Sequence, residues 1–161
     1  TMKTLEKRLY LFESGPTVWQ AACSTALAGT GAEANSNKTP LGWHHIDDMI
    51  GDGAKWGQVF RSRKMSKEVW TPGDTVVEDM VLTRVFMLDG DEPGKNKGAD
   101  AHGKLVDSKQ RYIYIHGTNG EDKIGTPASH GCVRLHPDNA KALFALVRQY
   151  GPTAVRISVE Q

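Results

Sequence analysis

Short runs of β-branched and aromatic residues, each cut off by Gly, Pro, Asn or Asp, recur along almost the whole chain. Punctuation this frequent leaves no room for a helical scaffold. Strand-like runs cover residues 8–13, 17–24, 58–63, 81–88, 111–116 and 153–159, and in the last of these Val155, Ile157 and Val159 alternate with polar neighbours. The expected fold is mainly β, a β-sandwich or distorted barrel. One helix near the C-terminus interrupts the pattern. Asp138 can cap it after Pro137, and Ala140, Leu143, Phe144 and Val147 then recur at helical spacing, so that face should lie on the sheet.

A length of 161 residues suits one domain with one core. The 20 Lys+Arg against 19 Asp+Glu leave a net charge of +1, and no basic run stands out, which argues against a nucleic-acid partner. Near the start the longest apolar run is Leu9-Tyr10-Leu11-Phe12, too short for a secretory signal or a membrane span. Thr1 ahead of Met2 reads as a cloning remnant and a start. A cytoplasmic protein is therefore the expectation, or a periplasmic one if a leader has been removed.

Two loops are unusually polar. "AGTGAEANSNKTPLG", residues 28–42, lacks the Gly-Lys-Ser/Thr ending of a phosphate cradle and reads as a solvated loop. "DGDEPGKNKGADAHG", residues 89–103, begins like a calcium loop, but Pro93 falls on a ligand position and Asp100 replaces the closing Glu. A mobile flap beside a cleft and a plain surface loop are the two readings left for it.

The chain has two cysteines, and they differ in setting. Cys23 lies in the strand-like "VWQAACS" and reads as a small buried hydrophobe. Cys132 lies in "SHGCVRLHPD", where Gly131 allows close backbone approach and nearby peptide N–H groups can face a developing oxyanion. A cysteine nucleophile needs a base to take its proton. His130 is close in sequence, but His116, at the end of the strand-like "RYIYIH", projects from a rigid element and is the better base. The residues between His116 and Cys132 read as a hairpin-like excursion. Arg134, two positions past the cysteine, suits a bidentate clamp on a substrate carboxylate, or else an ion pair with a nearby acid. The rival site is zinc held by His116, His130, Cys132 and His136, whose spacing matches no familiar ligand pair. The adjacent His44 and His45 point to opposite faces of a strand, one inward and one outward.

"IHGT" at 115–118 followed by "IGTPASHGCVRL" at 124–135 resembles the YkuD-type L,D-transpeptidase catalytic domain of bacterial cell-wall metabolism. Weaker likeness in "RLYLFE", "NKTPLGWHHI" and "LTRVFMLDG" extends it over residues 3–161, with residues 1–2 outside the domain. The resemblance implies Cys132 as nucleophile, His116 as base and the Gly117 carbonyl as the group that orients it. Ser129, His130 and Gly131 would support the oxyanion site, and Arg134 would hold substrate. It further implies peptidoglycan tetrapeptide stems ending in D-alanine as substrate, no cofactor and no metal, and acylation of the same thiol by carbapenems. Transfer of the acyl group to water would make an L,D-carboxypeptidase of murein recycling, and transfer to an amine an L,D-transpeptidase. A wall-peptide binding module with a dead site is the non-enzymatic alternative.

Overall fold

Because successive side chains of a strand point to opposite sides, each strand sorts its residues between two faces of a sheet. The computed structural model describes residues 8–160, so Thr1 and Met2 lie outside the described residues. The strands are β1 Arg8–Phe12, β2 Thr17–Ser24, β3 Gly42–Ile50, β4 Gln58–Arg61, β5 Lys64–Val69, β6 Val81–Gly90, β7 Tyr114–Gly117, β8 Val133–Leu135 and β9 Arg156–Val159. The helix, α1, spans Pro137–Tyr150, and short 3-10 turns occupy Glu121–Lys123 and Pro152–Ala154. Along the sheet the order is β1-β2-β8-β7-β6-β3-β9, with the β4–β5 hairpin branching off β6. All the strand pairs are antiparallel except β7 with β8, which run parallel.

The sheet is curled. Leu9 and Leu11 of β1 and Ile157 of β9, the two ends of the path, line one cleft of about 820 Å³ together with Leu143 and Val147 of α1. The fold is thus the mainly β architecture expected, a half-barrel with one helix. Its core joins Phe86, Leu88, Ile115, Val133 and Leu135 of the sheet to Ala140, Leu143, Phe144 and Val147 of α1. Phe86 and Phe144 meet edge to face with ring centroids 5.7 Å apart. On the other face Val85 packs with Ala54 and Phe60, flanked by Met87 and Tyr114. Cys23 is buried in the helix-side core, as its strand suggested.

Several elements differ from the sequence expectation. Strand β5 is exposed at every position but one and β8 is only three residues long, so neither carries a periodic signal. Strand β7 begins at Tyr114 rather than at residue 111, because Tyr112 turns into the left-handed region (φ 56). Residues 152–154 form a 3-10 turn, so β9 starts at Arg156. The cap of α1 is His136, whose ring accepts the Asp138 N–H at 3.2 Å, with Pro137 in the first turn. Asp138 instead accepts the Trp56 indole N–H.

The 89–103 segment is pinned from within and not built as a free flap. Asn96, fully buried, donates to the Leu41 and Trp43 carbonyls and accepts the Glu92 N–H. His44 turns inward onto Ser108, whereas His45 turns outward to Asp91. No helix of the described residues is long and apolar enough to cross a membrane.

Leu135 is fully buried between sheet and helix, and Val77 is fully exposed. Leu135→Ala should lower the unfolding free energy by about 2–5 kcal/mol in urea titrations. Val77→Ala should change it by less than about 0.5 kcal/mol.

Candidate active site

The parallel register pairs Ile115 with Val133, His116 with Arg134 and Gly117 with Leu135. Paired residues share a face, so Ile115, Val133 and Leu135 go to the core under α1. His116 and Arg134 therefore point the other way, along with Tyr114 and Cys132 two positions earlier. The excursion between β7 and β8 is a crossover, not the expected hairpin. Its effect is to set Cys132 diagonally across from His116 on the side away from the helix.

His116 is 2% exposed, and its Nδ1 lies 2.7 Å from the Gly117 carbonyl oxygen. A carbonyl only accepts, so Nδ1 carries the proton and Nε2 is left as the basic nitrogen. Gly117 can present its carbonyl this way because it has no side chain: a Cβ there would stand 2.6 Å from the Leu82 carbonyl oxygen. That contact arises at the irregularity of β6 between Leu82 and Val85, where Thr83 takes a left-handed conformation (φ 72).

Cys132 is half-buried. Its thiol donates to the Tyr112 carbonyl at 3.5 Å, and the Tyr114 N–H donates to the sulfur at 3.3 Å. Among the described residues no hydrogen bond joins it to His116. Burial pushes the thiol up to about 11, opposed by the Tyr114 N–H and by Arg134 and Arg111 and reinforced by Asp79. Burial pushes His116 down, against the Gly117 carbonyl and Asp79, with Arg134 adding to the fall. Both shifts favour neutral partners, a thiol beside a neutral imidazole.

The turn before the nucleophile is held from three sides. Ser129 Oγ donates to the Cys132 carbonyl at 2.6 Å and accepts the Gly131 N–H at 3.2 Å. Thr39 Oγ1 donates to the Gly131 carbonyl at 3.0 Å while accepting the Ala26 N–H. Gly131 has φ 131, and a Cβ there would lie 3.2 Å from both the Lys38 carbonyl oxygen and Ile113 Cδ1. Arg111 ropes in the same region, donating to the Ala32 and Lys38 carbonyls at 3.0 and 2.8 Å. Residues 28–42 are therefore the wall behind Gly131, not the solvated loop their polarity suggested. Beside local bonds within the segment, Thr39, Ala32, Lys38 and Ala34 bond to groups far away in sequence.

Arg134 is 4% exposed and ion-paired with Asp79, which Thr118 also approaches. Asp79 takes one terminal nitrogen of the guanidinium, and the Arg134 Nε is buried without a hydrogen-bond partner among the described residues. His130 is exposed at the rim. The four residues of the zinc alternative do not converge: His136 caps α1 and pairs with Glu121 at 3.2 Å. Among the described residues the one cluster with ligand atoms within 4.8 Å of one another is His45, Asp47 and Asp89. Lys97 and Lys109 already meet its carboxylates. Thr39, Arg111, Asp79 and the main chain of Tyr112 and Tyr114 escaped sequence reasoning. Only Thr39, within the "NKTPLGWHHI" stretch of the resemblance, carried any signal.

Comparison with known proteins gives this arrangement a family. The chain matches the YkuD family, the L,D-transpeptidase catalytic domain, over residues 3–157, and it belongs to that family. It is 31% identical over 86 residues to the provisionally named L,D-transpeptidase YqjB of Bacillus subtilis (strain 168), a stretch covering 53% of this chain and 47% of that protein. A solved L,D-transpeptidase from Mycobacterium smegmatis is similar over 91% of this chain and 51% of its own, with 17% identity and a TM-score of 0.44. The chain thus spans about half the length of these relatives.

With the thiol pushed up to about 11, thiolate becomes more abundant at every step of rising pH below that value. Iodoacetamide should therefore label Cys132 at a rate that climbs steadily from about pH 7 to about pH 10, ahead of buried Cys23 by peptide mapping. A plateau near neutrality would contradict the neutral resting pair.

Proposed function

We propose that this chain is a cysteine-dependent acyl-transfer enzyme that removes the terminal D-alanine from peptidoglycan tetrapeptide stems, with water as acceptor. The observation that carries the reading is the His116 ring, whose Nδ1–H is fixed by the Gly117 carbonyl and whose Nε2 is left on the face that bears Cys132. As Cys132 Sγ attacks the carbonyl of the third residue, diaminopimelate, Nε2 takes the thiol proton. An S–C bond forms and the carbonyl oxygen gains the charge. Collapse breaks the C–N bond, D-alanine leaves as the amine with the proton returned from His116, and a thioester remains. Water then attacks, His116 takes its proton, and tripeptide and free thiol are released.

Neutral partners suit this sequence, since the proton moves as the bond forms and no ion pair has to be desolvated beforehand. Ser129 and Gly131 hold the turn that presents the sulfur, with His130 at its rim. Arg134, buried against Asp79, keeps the row behind His116 close to neutral. Half-burial of Cys132 between exposed Tyr112 and exposed His130 leaves the thioester open to water, which favours hydrolysis.

Purified protein given disaccharide tetrapeptide should release D-alanine and accumulate tripeptide by mass spectrometry. Added D-methionine should change this little. Predominant D-methionine exchange or dimer formation would make the chain an L,D-transpeptidase instead. His116→Ala should slow acylation by about a hundredfold or more, the usual cost of losing a general base. His130→Ala should cost less, and the reverse order would give the base role to His130.

A further inference from the structure

Two arginines act on the thiol, Arg134 and Arg111, and both are already engaged. Arg134 is buried against Asp79, and Arg111 spends its donors on backbone carbonyls of the 28–42 segment. A third arginine, Arg63, is exposed and has no acidic partner among the described residues. By contrast, Arg61 of the same hairpin is met by Glu68 and Glu78.

Arg63 sits at the hairpin tip, where Ser62 and Arg63 bridge the paired Arg61 and Lys64 with φ values of 48 and 64. Such two-residue turns favour Asn-Gly, so an arginine there is held in a conformation its side chain disfavours. Its guanidinium lies 4.4 Å from the centroid of the Tyr112 ring and donates to the Tyr114 hydroxyl at 3.5 Å. Tyr112 is itself left-handed (φ 56) and 54% exposed. These are the two residues whose main chain holds the Cys132 sulfur. Two strained positions on separate loops therefore meet beside the nucleophile and leave an open cation on an aromatic platform.

We infer that Arg63 receives a carboxylate of the peptide at Cys132, with Tyr112 as its support. The inference rests on reading the chain as an acyl-transfer enzyme for stem peptides. Such stems carry a carboxylate on either side of the scissile bond, on the leaving D-alanine and on the diaminopimelate side chain. A planar guanidinium suits either one.

One test needs no turnover. The rates of Cys132 alkylation by iodoacetate and by neutral iodoacetamide are compared in wild type, Arg63→Gln and Arg63→Lys. The iodoacetate-to-iodoacetamide ratio should fall about tenfold in Arg63→Gln, the scale of one lost charged hydrogen bond, and largely recover in Arg63→Lys. The iodoacetamide rate of each variant reports that the thiol site is intact. An unchanged ratio overturns the inference. In parallel, D-alanine release is followed with tetrapeptide and with its amides at either carboxylate. Arg63→Gln should raise KM about tenfold for the free acid with kcat held, and should add nothing for the amide that has already lost the contact. That amide identifies the carboxylate, and an unchanged KM for the free acid overturns the assignment. If wild type releases no D-alanine while the ratio still falls, the proposed function fails and the cation site stands.

Discussion

The site depends on one pairing, the parallel alignment of β7 with β8 that sets Ile115 beside Val133 and His116 beside Arg134. A shift of either strand by one residue would turn that strand over. The core under α1 would lose either Ile115 or the pair Val133 and Leu135, and His116 or Cys132 would be driven into it. The register that closes the core is the same one that sets Cys132 and His116 on one face, so packing energy holds them there. The residues that reinforce it act at its ends. Gly117 lets the β6 irregularity approach, and Gly131 lets the 28–42 wall close in behind the turn.

Electrostatics follow from this placement. His116 is almost fully buried and Cys132 half-buried, which disfavours charge on either one. Arg134 and Asp79 bring opposite charges to the same row and largely offset each other there. The outcome is a pair that is neutral at rest, with the Gly117 carbonyl at Nδ1 of His116.

Much of this was legible in the sequence, for physical reasons. The α1 face was readable because Ala140, Leu143, Phe144 and Val147 are all buried at the positions their spacing named. The long strands were readable because one of their faces is apolar. Strand β8 was not, since three residues carry no period, and β5 was not, since it is exposed along nearly all its length. The "HGCVR" block singled out Cys132 and the strand end "RYIYIH" singled out His116, and the register brings these two to one face. The supports did not announce themselves. Arg111 reads as a strand residue until Tyr112 turns the chain, and Asp79 meets Arg134 from 55 residues away. Contacts of that range are set by the sheet's curl, which leaves no trace in local pattern.

The central claim is that Cys132 and His116 act as one nucleophilic pair. Intact-protein mass spectrometry after mixing with a carbapenem tests it most directly, because the drug's ring opens onto the nucleophile and leaves a stable mass increment. Wild type should gain one drug mass, mapped to Cys132. Cys132→Ala should gain none, and His116→Ala should gain it about a hundredfold more slowly. An adduct on Cys23, or acylation that proceeds at the wild-type rate without His116, would contradict the account.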